Sequence, residues 1–208
     1  MRESEILALA RQAGIAPGVS VLDLCCGAAG PGRLITRELR CDYLGVDASA
    51  AAVAIACERA GDLPCRFEVA RIPPVPAGRF DVVLLLETML AFRDKDAVLR
   101  SIADALTTGG RFAFTFEAGA PLTDDERQRM PDADTVWLTP LGEMLALLRA
   151  AGLVVTWQED HSRSHRATAQ ALLDRGDLGD LFTGHRLWVE WLDAGRVRKF
   201  ALVARRPG

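Results

Sequence analysis

Lysine is almost missing from this 208-residue sequence: of its 25 basic residues only Lys95 and Lys199 are lysines, the rest arginines. With the abundant alanine, this bias is read as the habit of a GC-rich gene. Long apolar runs are missing too. None reaches the roughly 18 residues that would suggest a membrane span, so no membrane association is expected. A formal charge of −3 argues against a protein that coats phosphate backbones, and no nucleic-acid partner is predicted. The five cysteines, Cys25, Cys26, Cys41, Cys57 and Cys65, are odd in number and lack zinc-type paired spacing, which predicts reduced thiols. No HExxH run accompanies the few histidines, so no metal site is expected. Internal repeats and low-complexity tracts are also lacking. Glu3 and Glu5 interrupt the opening MRESEILALARQAGIAPG, which suits an amphipathic helix and not a signal peptide, and a cytoplasmic location is expected.

What remains is a globular composition, half apolar and a quarter charged, of a length that suits one domain over 1–208. Seven apolar runs too short for helices, 19–25, 42–48, 65–71, 80–87, 110–117, 153–159 and 197–204, read as strands. Between them lie helix patterns with recognisable ends. Ser49 caps 50–60 before Gly61, Asp94 caps 95–106 ahead of Gly109-Gly110, and Thr139-Pro140 opens a helix closed by Gly152. Strands alternating with crossovers predict an α/β, Rossmann-like, doubly wound sheet of seven mostly parallel strands with helices on both faces; the last strand is expected to be antiparallel. A ligand site is then expected beyond the carboxyl ends of the strands. Segments 118–138 and 160–195 break the pattern and are expected to form a lid or substrate-binding roof. The arginine-flanked run 197–204 reads as an edge strand guarding itself with charge.

The first strand runs into Asp23-Leu24-Cys25-Cys26-Gly27-Ala28-Ala29-Gly30-Pro31-Gly32, a turn whose backbone a ligand can approach. The next strand ends at Asp47, where a carboxylate can accept hydrogen bonds from ribose hydroxyls. A dinucleotide and S-adenosylmethionine both fit these facts. Ala29 would obstruct a pyrophosphate and Pro31 removes a helix-start N–H, which weakens the dinucleotide reading.

VLDLCCGAAGPG, YLGVDAS, RFDVVLLLETML and TTGGRFAFT together resemble the class I S-adenosylmethionine-dependent methyltransferases. Within them the chain is similar to small-molecule enzymes of the ubiquinone-biosynthesis and sarcosine/dimethylglycine type. The resemblance implies a small-molecule acceptor and S-adenosylmethionine as cofactor. It places Asp23 and the backbone of Cys25 and Gly27 at the methionine end, Asp47 on the ribose and Ala48 against the adenine. Arg71 and Ile72 would border the adenine, and Leu86 and Glu87 would lie beside the methionine portion, facing the substrate. The family usually has glycine at the positions of Cys25 and Ala29, and often an acidic residue near Ala70-Arg71.

Methyl transfer from a sulfonium is in-line displacement at an activated carbon, so positioning the acceptor supplies much of the rate. Strand-end side chains that could orient it or move a proton are Glu87, Glu117, Asp160, His161 and His165. Residues 161 and 165 would share a helix face, with a solvated pair as the plainer reading. Trp137, Trp157, Trp188 and Trp191 are candidates for an aromatic acceptor pocket, although core packing is favoured for the last two. A nicotinamide-dependent oxidoreductase and a non-catalytic S-adenosylmethionine-binding protein are the competing readings.

Overall fold

The computed structural model describes residues 1–76, 78–176 and 181–208. Seven strands form one sheet: β1 (Ser20–Leu24), β2 (Asp42–Asp47), β3 (Cys65–Val69), β4 (Phe80–Leu85), β5 (Leu106–Ala118), β6 (Val154–Asp160) and β7 (Arg198–Arg205). Their order is β3-β2-β1-β4-β5-β7-β6. The first five pair in parallel, while β7 runs antiparallel between β5 and β6. Each expected strand is present, with its ends moved by a few residues.

The helices are α1 (Glu3–Gln12), α2 (Gly30–Leu39), α3 (Ala50–Ala60), α4 (Lys95–Ala105), α5 (Asp124–Arg129), α6 (Leu141–Ala150), α7 (Ser162–Arg175) and α8 (Leu181–Asp193). Two expected caps form: Ala52 N donates to Ser49 Oγ at 3.2 Å and Ala97 N to Asp94 Oδ1 at 2.9 Å, each satisfying a first-turn donor that the helix cannot. Helix α4 stops earlier than its pattern suggests. Leu106 takes extended backbone and opens β5, so Gly109 and Gly110 fall inside that strand and do not follow the helix.

The central strands are apolar throughout because both faces are covered. Along β4 the side chains alternate: Val83 and Leu85 join Val98, Ile102, Met144 and Leu148 from α4 and α6. Val82 and Leu84 join Ile6, Leu9, Leu34 and Ile35 from α1 and α2 on the other face. Removing such a side chain to alanine costs about 2–5 kcal/mol. The edge-strand expectation for β7 is overturned. Residues Lys199 to Ala204 are buried between two partners, and the arginines at its ends lie where the strand emerges. A third cluster, including Leu122, Met130, Val136, Leu187 and Trp191, joins segment 118–138 to α8.

Candidate functional site

At the carboxyl end of β1, Cys25 and Ala29 adopt left-handed backbone, with φ of 56° and 52°. That conformation costs a side-chain-bearing residue roughly 1–2 kcal/mol, the physical reason glycine is usual at both positions. Small side chains keep the turn tight all the same. Gly27, with φ of 55°, has open space where a Cβ would stand, so its main chain is bare to a ligand. Its N–H donates to Asp47 Oδ2 at 2.9 Å, while Ser49 N donates to Oδ1 at 2.8 Å. The glycine turn and the end of β2 are thereby drawn together. Ala48 and Arg71 are exposed and Ile72 is half-buried along the same end of the sheet. A bare turn, a partly exposed carboxylate and a small residue beside it fit an adenosyl ligand.

Asp23 lies under this turn, buried, its Oδ2 accepting a 2.6 Å hydrogen bond from Tyr43 Oη. Burial, with the charge of Asp47 adding, pushes its carboxyl up to about 7 against the pull of Tyr43. Burial also drives the Cys25 thiol up to about 12, so at neutral pH it is no nucleophile.

One strand over, β4 pairs with β1 so that Leu85 lies level with Leu24. The Leu86 side chain is buried in the core, which leaves its main chain near the sheet end. Glu87 follows in left-handed backbone, φ 60°. Its N–H donates to Thr115 Oγ1 at 2.8 Å, and that hydroxyl donates to Glu87 Oε1 at 2.8 Å. Lys199 Nζ stands 2.9 Å from Glu87 Oε1 and 2.5 Å from Glu117 Oε1. Burial, the largest single influence, raises the Glu87 carboxyl, but the charge and hydrogen bond of Lys199 together with the Thr115 hydroxyl and the chain's amino terminus outweigh it and hold the group at about 2. Burial disfavours the Lys199 cation, and the two carboxylates more than compensate, raising its pKa. Glu87 is therefore permanently ionised, a weak base suited to orienting a donor or a cation.

Glu87 and Glu117 form the floor of a cavity of about 450 Å3, walled by Leu90, Val136, His165 and Trp188, with Asp132 at its side. Segment 118–138, α7 and α8 thus meet over the ends of β4 and β5. Burial and the Lys199 charge lower the His165 pKa, so its ring is neutral at pH 7.

The solvated histidine pair is not what the structure holds. His161 is buried at the N-cap of α7, Nε2 3.3 Å from Glu159, with Nδ1 unpartnered among the described residues. His165, one turn on, lines the cavity. Asp160 is tied to Ser162 and Arg198. Of the four tryptophans, Trp188 alone lines the cavity among the described residues. Trp191 is buried in a T-shaped pair with it, Trp137 lies between Arg93 and Arg127, and Trp157 packs on the α1 face.

A family model described as "Methyltransferase domain" matches residues 21–110, from β1 into β5. Phosphoethanolamine N-methyltransferase 1 of Arabidopsis thaliana is 30% identical over 169 residues, 76% of this chain and 33% of that protein. The chain spans 20–41% of the length of the first phosphoethanolamine N-methyltransferases it matches. Among solved structures, a putative sarcosine dimethylglycine methyltransferase from Galdieria sulphuraria superposes with TM-score 0.85 over 99% of this chain and 85% of that one, at 17% identity. The [4+2]-cyclase SpnF superposes with TM-score 0.77 over 99% of this chain and 80% of that one, at 24% identity. The glycine turn joined to Asp47 and the sheet order agree with the methyltransferase domain that residues 21–110 match, on a fold shared with the solved methyltransferase structures.

Proposed function

We propose that this protein transfers the methyl group of S-adenosylmethionine to a small molecule held in the cavity over β4 and β5. The observation that carries the reading is the placement of Glu87: it leaves the strand next to β1, beside the glycine turn, and its side chain lines the cavity. Cofactor turn and acceptor space are neighbours.

In this reading the main chain of Cys25 and Gly27, with Asp23 beneath, holds the methionine end, and Asp47 takes the ribose hydroxyls. Ala48, Arg71 and Ile72 border the adenine, and the main chain of Leu86 runs beside the methionine portion. When bound, the cofactor supplies a methyl carbon on a sulfonium, open to in-line attack. Glu87, kept ionised by Lys199, orients the acceptor. His165, neutral and at the cavity wall, can take a proton from it, and buried His161 positions the start of α7. Much of the acceleration comes from fixing the acceptor in line, an effect worth up to about 7–11 kcal/mol.

The remaining parts of the reading are of a piece with this. Residues 1–208 are read as a single domain, with 118–138 and the described parts of 160–195 as its lid, 177–180 lying outside the described residues. The charge of −3 suits a small-molecule partner better than nucleic acid. Five free cysteines suit the cytoplasm, and no described helix is long and apolar enough to cross a membrane.

The test is calorimetry with S-adenosylhomocysteine and with NADH, followed by methyl transfer from radiolabelled S-adenosylmethionine to a metabolite panel. Binding of S-adenosylhomocysteine and labelled product are expected; binding of NADH alone would overturn the reading. The same fold in a cyclase supports a second reading, in which the cofactor is bound but keeps its methyl group. Turnover of a bound substrate without formation of S-adenosylhomocysteine would favour it.

A further inference from the structure

The cavity floor is unbalanced in charge. Glu87 and Glu117 share one cation, Lys199, and Asp132 adds a third carboxylate at the wall. Among the described lining residues there is no arginine or lysine; Lys199 lies behind the two glutamates, buried and already engaged with both. The Glu117 side chain is 4% exposed. Its Oε1 is held by Lys199 at 2.5 Å, and its Oε2 is buried with no hydrogen-bond partner among the described residues. A carboxylate oxygen withdrawn from water without a donor is costly, and the neighbouring groups supply none. Above this floor the apolar side chains of Leu90, Val136, Leu172 and Trp188 share the lining with Thr135, Thr168, His165 and His185.

We propose that the cavity takes an unphosphorylated amine, whose N–H group donates to Glu117 Oε2 while its apolar body lies against Trp188 and Leu90. This rests on the cavity being the acceptor site. A phosphate or carboxylate in the same place would have no proton to give Glu117 Oε2 and would face Glu87, Glu117 and Asp132, with His165 and His185 the basic side chains on the described lining, so the phosphorylated acceptor named for the plant relatives suits this floor poorly. Either form of the amine can donate to Glu117 Oε2, and a net negative floor beside an aromatic ring holds the ammonium form more strongly.

The inference is tested on the full chain saturated with S-adenosylhomocysteine. Calorimetry compares tyramine with 3-(4-hydroxyphenyl)propionate, which has the same body and an acid in place of the amine, and with phosphoethanolamine. Tyramine is expected to bind at least tenfold more tightly than either. In the Glu117→Gln variant, with folding checked by circular dichroism, the preference for amine over acid should shrink to less than threefold, with affinity for S-adenosylhomocysteine kept within twofold. The wild-type comparison stands even if the variant does not fold. Tighter binding of the acid or of phosphoethanolamine, or no binding of tyramine, would overturn the inference while leaving the cofactor reading intact. Failure to bind S-adenosylhomocysteine would remove both.

Discussion

Tyr43 Oη reaches across from β2 to donate a 2.6 Å hydrogen bond to Asp23 Oδ2, and it does so through the space left by Gly32, where a Cβ would collide with the hydroxyl. The last glycine of the turn thus admits a tyrosine that holds the first acid.

That buried acid sets a pH dependence. Asp23 titrates at about 7 when folded, because of burial first and Asp47 second, against 3.8 in its ordinary state. The folded chain therefore holds the proton that the unfolded chain has released. Stability falls as pH rises from about 4 to about 7, and the whole cost is present above that. Asp23→Asn can still accept from Tyr43, and it should stabilise the protein at pH 8 by roughly 2–4 kcal/mol with little change at pH 4. Urea unfolding at both values checks this; an equal effect at each pH would remove Asp23 as the source.

Asp47→Ala removes the hydrogen bond from Gly27 N and, with it, the proposed acceptor for the ribose hydroxyls. Charge-assisted hydrogen bonds are worth about 1.5–3 kcal/mol each, so affinity for S-adenosylhomocysteine should drop at least tenfold. Calorimetry reads it directly. An unaltered affinity would take Asp47 out of the site.

Lys199→Met strands two carboxylates, Glu87 and Glu117, beside each other without their cation. Breaking a buried ion cluster from one side costs about 3–5 kcal/mol, and the melting temperature should fall accordingly. Adding Glu117→Gln and Glu87→Gln to the same chain should restore much of the loss. If the triple variant is no more stable than the single one, charge is not the cause.

Arg196 grips Glu126 with two hydrogen bonds, 2.7 and 2.8 Å, and so ties α5 to the chain entering β7. The Arg196 hydrogen bonds chiefly bring the Glu126 carboxyl down to about 2 from 4.5. A lowered carboxylate pKa stabilises above the unfolded value, and that contribution is lost as pH falls from about 4.5 toward 2. Arg196→Met should cost about 1.5–3 kcal/mol at pH 7 and flatten the acid limb of the stability curve. If 118–138 serves as a lid, the acceptor KM should rise more than the affinity for S-adenosylhomocysteine falls.

Local signals made the strands and helix ends legible. Ser49 and Asp94 cap as their positions suggest, and the run FDVVLLLE could only be a strand covered on both faces. Sheet order is different in kind. An apolar strand with arginine at each end reads the same at an edge or in the middle, and only the pairing of β7 with both β5 and β6 decides it. At the site, the turn and Asp47 were readable because twenty residues of βα geometry bring them together. Lys199 was not, since its partners Glu87 and Glu117 lie 112 and 82 positions away. One clue was present: in a chain that otherwise uses arginine, both lysines are buried. A slender ammonium fits where a planar guanidinium does not, so the exception to the bias marked interior positions. The left-handed backbone at Cys25 and Ala29 was foreshadowed by the glycine usual at those positions, whereas nothing in the sequence marks it at Glu87.

The reversed direction of β7 has a consequence for assembly during synthesis. Being the final strand yet inserted between two earlier ones, it leaves β5 and β6 as open borders until it arrives. It brings with it the ammonium that reconciles two acids on separate strands. A growing chain would thus hold a nearly finished sheet in which Glu87 and Glu117 still lack their shared cation until β7 arrives.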